Sequence, residues 1–227
     1  LKLIVSGCSF TSIKGEWFDP TYPKQKTFRN TREKYRVKSW QDYLAEKLDI
    51  ECITVGKSAI GNRQIIERVV SEIACHDPSD IFVIVSFTEW LRLDGNTGGE
   101  AWWVIGKPRY VTNAFLTQLI TLQSYLESNN IKHLIVHGTE PINNISAGQS
   151  FFSENWTLQH IMEQFLENKL YHQINADNIW GWPFFERIGG KTIQSIVELD
   201  HTSHPTERGH RHFAEVILKD VERRMQC

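Results

Sequence analysis

Four short runs of apolar, largely β-branched residues punctuate the chain: KLIVSG (2–7), ECITVG (51–56), DIFVIVSF (80–87) and KHLIVHG (132–138). Runs this brief and continuous suit strands covered on both faces, because neither side of such a strand meets water. Between them lie segments with helical spacing. Ser39 is placed to cap a helix through about Leu48, with Asp42 completing a capping box; Asn62 is placed to cap RQIIERVVSEIAC; Thr112 opens a segment running to about Ser128. Two further helices are expected over about 154–172 and 206–225. A strand that returns parallel to its neighbour needs a crossover long enough to hold a helix, so this alternation specifies an open parallel sheet with right-handed crossovers. Ligands of such sheets sit beyond the carboxyl ends of the strands, which makes each strand-to-helix loop a candidate site wall.

The bulk composition fits one domain with a sizeable core. The chain has 227 residues, 41% of them hydrophobic and 23% charged, with a net charge of -2. No apolar stretch approaches the ~20 residues of a membrane-spanning helix, and the first strand lacks the basic front and cleavage site of a signal peptide. A cytoplasmic location without a membrane partner is therefore the expectation. The four cysteines (Cys8, Cys52, Cys75, Cys227) show no CxxC pair, so neither a disulfide framework nor structural zinc is expected. One segment departs from the average: residues 14–38 hold eight Lys/Arg against three Asp/Glu. It reads as a basic insertion in the single domain, a solvated loop with no recognised nucleic-acid motif beside it, and no nucleic-acid partner is expected.

The chemistry-bearing residues gather at the two ends of the chain. Gly7, Cys8 and Ser9 end the first run, where glycine permits a sharp turn and the side chains that follow enter the cleft. A serine there becomes a nucleophile only with a histidine in hydrogen-bond reach, usually oriented by an acid. The stretch ELDHTSHPTERGHRHFAEVI supplies both: His204-Pro205 marks a turn, Thr206 can cap the last helix, and Asp200 stands four residues before His204. Cys8 is the rival nucleophile, since a thiolate needs only a histidine and a favourable helix dipole. His210 and His212 read as surface or packing residues. His201, His204 and Asp200 lack a second cluster at ligand spacing, so no metal and no cofactor is expected. A dinucleotide site is disfavoured because SGCSFTS has one glycine where a pyrophosphate loop needs G-x-G-x-x-G.

Strand-G-x-S near the start, a Gly/Asn loop after the second strand, a polar loop after the third, and an Asp with His-Pro-x-x-x-Gly-His before the final helix resemble the SGNH, or GDSL-type, hydrolases. The resemblance runs from Leu3 to about Ala214. It implies an α/β fold, a flavodoxin-like three-layer α/β/α sandwich with a mostly parallel sheet of about five strands. It also implies ester hydrolysis, which in this family often acts on lipid esters or on acetyl groups of carbohydrates. By motif, Ser9 matches the nucleophile and contributes its backbone N–H to the oxyanion site, with His204 the base and Asp200 its partner. Within KSAIGNRQI either Gly61 or Ala59 matches the second block's glycine, Gly61 being preferred. Where the family has Gly-x-Asn-Asp this chain reads Ser86-Phe87-Thr88-Glu89, so Thr88 and Asn62 are the candidates to supply the missing oxyanion donor. Asp200 is one position further from His204 than the family spacing.

Trp90, Arg92, Trp102 and Trp103 suggest the substrate side, because aromatic faces beside polar groups suit sugar rings. The expected activity is that of a serine esterase, with O-deacetylation of a carbohydrate or related polar ester the favoured reaction and a small-molecule or glycan ester the partner. The alternative is a catalytically weak or inactive version of the same scaffold that binds a glycan or other anionic partner.

Overall fold

A computed structural model of the chain describes residues 1–11, 38–58, 60–90, 92–94, 101–103, 108–139, 158–200 and 204–226. Most of the basic segment at 14–38, together with Ala59 and His201, lies outside them. The elements are β1 (Lys2–Ser6), α1 (Trp40–Leu48), β2 (Glu51–Thr54), α2 (Asn62–Ile73), β3 (Ile81–Phe87), β4 (Arg92–Asp94), β5 (Ala101–Trp103), α3 (Pro108–Ser128), β6 (Lys132–His137), α4 (Leu158–Leu166), α5 (Ile193–Ile196) and α6 (Glu207–Gln226).

The four apolar runs form one parallel sheet in the order β2-β1-β3-β6. All seven residues of β3 are buried, as its uninterrupted apolar sequence requires of a central strand. A single parallel bridge, Ile135 to Ile179, with the Trp180 N–H on the Ile135 carbonyl at 2.8 Å, adds a rudimentary fifth position beyond β6. Chain direction reverses at β1: the step to β2 runs one way, the steps through β3 and β6 the other. Right-handed crossovers then put α1 on one face and α2 and α3 on the opposite face. Accordingly α1 packs with α6, Trp40 meeting Phe213 edge-on at 5.2 Å, while α2 packs against β1, β3 and α3. The crevice of this topology opens where the loops after β1 and β3 part to opposite faces.

Four element boundaries differ from the sequence reading, one of them the helix expected to about 172, which ends at Leu166. The polar loop expected after the third strand is followed by the antiparallel pair β4–β5. Helix α3 opens at Pro108 rather than Thr112, with proline in the first turn where its missing N–H costs nothing. Helix α2 takes Gly61 rather than Asn62 as its N-cap, because the Asn62 side chain is engaged elsewhere. Thr206 caps α6 as expected, its Oγ1 accepting the Gly209 N–H at 3.1 Å. Among the described residues no helix is long and apolar enough to cross a membrane.

Candidate active site

The turn after β1 is tightly determined. A Cβ on Gly7 would come within 2.4 Å of Thr11 Oγ1 and 2.9 Å of Ser86 Cβ, so only glycine fits between the turn and β3. The chain then reverses, the Thr11 N–H donating to the Cys8 carbonyl at 2.9 Å. Helix α1 holds the far side of the turn: Trp40 Nε1 donates to the Phe10 carbonyl at 3.0 Å, and Gln41 Nε2 to the Thr11 carbonyl at 2.6 Å. Ser9 sits at the crest, half-buried, whereas Cys8 is only 1% exposed and packs in the core. The rival thiol therefore has no open face toward a substrate.

The histidine loop reaches the same place from the other end of the chain. The His204 ring lies against the ring of Phe10, the residue after Ser9, with centroids 5.5 Å apart and planes at 34°. Asp200 Oδ1 accepts the backbone N–H of His204 at 3.1 Å, and the Asp200 N–H donates to the His204 carbonyl at 2.8 Å. This reciprocal pairing, beside the bridge between Leu199 and Pro205, fixes the loop that carries the imidazole. The Asp200 carboxylate thus accepts from the backbone of His204, and the Asp200 backbone closes the second bond.

The second and third loops meet through Asn62. Its Oδ1 accepts the Thr88 N–H at 2.8 Å and its Nδ2 donates to the Thr88 carbonyl at 3.1 Å. With Asn62 3% and Thr88 0% exposed, both bonds are made away from water. The Thr88 N–H is consequently occupied, and one Nδ2 hydrogen of Asn62 is left over from the pair. Thr88 Oγ1 is buried without a hydrogen-bond partner among the described residues. Gly61, buried, begins α2 beside this pair, so its N–H belongs to a helix N-terminus.

Trp90 is corrected from a substrate contact to a core residue. It is 2% exposed, stacks on Phe115 at 4.5 Å and 17°, and packs against Phe165 at 4.6 Å and Phe185 at 5.2 Å. Its loop position suggested an open ring, but the apolar wall built by α3, α4 and residues 184–185 encloses it. Arg92 pairs with Trp103 and Leu93 with Trp102 in the β4–β5 ladder; the side chains of Arg92, Trp102 and Trp103 lie outside the described residues.

Two histidines stand out in the structure, and the sequence reading singled out only one of them. His137, at the carboxyl end of β6, is fully buried; its Nδ1 bonds to the Thr139 carbonyl and burial pushes its pKa down to about 3. His210, read as packing or surface, is held down to about 4, chiefly by burial, with Asp42 opposing that shift and His204 adding to it. Only the neighbourhood of His204 and Asp42 makes His210 notable, and no spacing in the sequence signals that. Among the described residues no group of three or more His, Cys, Asp or Glu is arranged to hold a metal ion.

No protein-family model matches the chain, and no curated protein is similar to it in sequence. Solved structures do share its fold. A carbohydrate esterase family 2 enzyme with a carbohydrate-binding domain from Corynascus thermopiles (Myceliophthora fergusii) superposes with a TM-score of 0.55 at 13% identity, over 100% of this chain and 67% of that one. TesA superposes at 0.51 and 14% identity, over 100% and 98%. The psychrotrophic esterase EstA of Pseudoalteromonas sp., in a structure inhibited by monoethylphosphonate, superposes at 0.50 and 13% identity, over 99% and 98%. These likenesses establish the fold, an α/β sheet flanked by helices of the kind that SGNH hydrolases have.

Proposed function

We propose that this chain is a serine esterase of SGNH type, acting by acyl transfer through Ser9, with an O-acetylated carbohydrate or related polar ester as its substrate class. The observation that carries the reading is the packing of the His204 ring on Phe10, which brings the first histidine of the HPTERGH block to the residue beside Ser9. The esterases among its structural neighbours support the reaction class at the level of the fold.

In this reading Ser9 Oγ attacks the ester carbonyl as His204 takes the hydroxyl proton. The carbonyl electron pair moves to its oxygen, which accepts hydrogen bonds from the N–H groups of Ser9 and Gly61 and the remaining Nδ2 hydrogen of Asn62. Thr88 contributes to this site through its hydroxyl, its N–H being held by Asn62. Collapse expels the alcohol, which receives the proton from His204. Water, deprotonated by the same imidazole, then cleaves the acyl-enzyme and restores Ser9. Asp200 is a positioning residue here, its carboxylate holding the His204 backbone N–H.

The occupied Thr88 N–H favours one second reading, a slow or inactive scaffold that binds a glycan or other anionic partner, since each lost oxyanion donor lowers the rate ~100- to 1000-fold. A fluorophosphonate probe and a small acetyl ester separate the two. Labelling at Ser9, with turnover lost in both Ser9→Ala and His204→Ala, is the expected result. Folded protein that takes no label at Ser9 and binds a glycan without turnover establishes the second reading instead.

A further inference from the structure

Helix α1 grips both halves of the proposed site. Its first two residues, Trp40 and Gln41, are each 0% exposed and hold two successive carbonyls of the Ser9 turn, those of Phe10 and Thr11. Its next turn holds the start of α6, three residues beyond His204: the Tyr43 hydroxyl donates to Glu207 Oε1 at 2.6 Å, and the Arg211 guanidinium lies 5.2 Å from the Tyr43 ring centre. Trp40 completes the link through its edge contact with Phe213.

Gln41 is the informative member of this set. A carbonyl accepts only from the amide nitrogen, so the bond to Thr11 fixes which end of the Gln41 amide faces the turn. The other end, Oε1, is then buried with no hydrogen-bond partner among the described residues. An unsatisfied buried acceptor destabilises the fold, and an apolar side chain of the same shape would avoid it. A residue present only to fill the core between α1 and the turn has no need of that amide.

We propose that Gln41 is a positioning residue for Ser9, its Nε2–H holding the Thr11 carbonyl so that the turn presents Ser9 Oγ toward His204. This rests on the Ser9 and His204 assignment above. The tests are Gln41→Met, which keeps the length and removes the donor, and Gln41→Asn, which keeps the amide but withdraws it from reach should the first variant not fold. Thermal midpoint, amide hydrogen exchange over residues 8–11, and kcat and KM on a small acetyl ester are compared with wild type.

The expected result is a thermal midpoint near that of wild type, loss of the unpaired Oε1 offsetting the Thr11 carbonyl left without its donor, exchange in the 8–11 turn faster by about 10-fold, kcat lower by about 10- to 100-fold, and KM within about 2-fold. A fall in the thermal midpoint together with wild-type exchange and kcat would assign Gln41 a purely structural part and overturn the proposal. Should wild type itself prove inert, the esterase reading fails, and exchange alone decides for the positioning role: faster in the variant upholds the grip on the turn, unchanged removes it.

Discussion

The Phe10 ring supports the His204 imidazole at a centroid distance of 5.5 Å, joining residues that 194 positions of sequence separate. The Phe10 backbone is independently fixed, its carbonyl accepting from Trp40 Nε1. Side chain and backbone of one residue thus tie the histidine loop and α1 to the turn that carries Ser9.

Phe10→Leu isolates the ring contact, because the carbonyl bond to Trp40 survives the substitution. A buried aromatic exchanged for a smaller apolar group lowers stability by about 1–2 kcal/mol. The expected kinetic effect is a fall in kcat of about 10-fold with KM little changed, from an imidazole no longer seated against the turn. Steady-state kinetics on a small acetyl ester checks this, and a wild-type kcat would show that His204 is held by other contacts.

Asn62 links two loops that the sequence lists as separate blocks. Asn62→Ala orphans the N–H and the carbonyl of a fully buried Thr88 at one stroke, and about 2–4 kcal/mol of stability should be lost. Asn62→Asp is not a rescue: it retains an acceptor for the Thr88 N–H but sets a carboxylate oxygen against the Thr88 carbonyl. Urea unfolding of both variants tests the pair, and a loss below about 1 kcal/mol for alanine would mean that water satisfies Thr88 in its place.

The strands and most helices were legible because their signals are local. Continuous Val/Ile runs specify buried strands wherever they lie, and Thr206 caps α6 through its own hydroxyl. Asn62 misled the cap assignment because its best partner, Thr88, is 26 residues away and pairs with both ends of its amide. Trp90 misled the substrate assignment for a related reason. A tryptophan after a strand looks like a site wall until α3 and α4 supply the rings that enclose it. The meeting of the β1 turn and the His204 loop at Phe10 was readable only in outline, from the rule that all these loops emerge at one sheet edge. The role of Phe10 between them has no sequence signal.

Trp90 offers a direct test of the corrected assignment. Truncation to alanine removes a ring packed by Phe115, Phe165 and Phe185, with an expected loss of about 3–5 kcal/mol. Trp90→Phe keeps most of that packing and should leave KM for both a small acetyl ester and an acetylated oligosaccharide at the wild-type value. A KM raised only for the oligosaccharide would return Trp90 to the substrate side.

Acid should destabilise the fold well above the carboxylate range, and His137 is the main reason. Its ring is enclosed by Phe115 and Phe184, its Nδ1 is bonded to the Thr139 carbonyl, and its Nε2 has no partner among the described residues. Burial therefore lowers its pKa from the ordinary 6.5 to about 3, and lowers that of His210 to about 4. Between those values and 6.5 the unfolded chain binds protons that the folded chain refuses. Stability is then complete above about pH 6.5 and declines as pH falls toward the folded-state values, each histidine contributing a slope of up to about 1.4 kcal/mol per pH unit. By pH 5 His137 alone should remove about 2 kcal/mol. Urea midpoints at pH 7, 6 and 5 for wild type and His137→Phe measure it: the variant should show the shallower decline, and parallel slopes would mean that His137 is protonated in the folded protein or open to solvent.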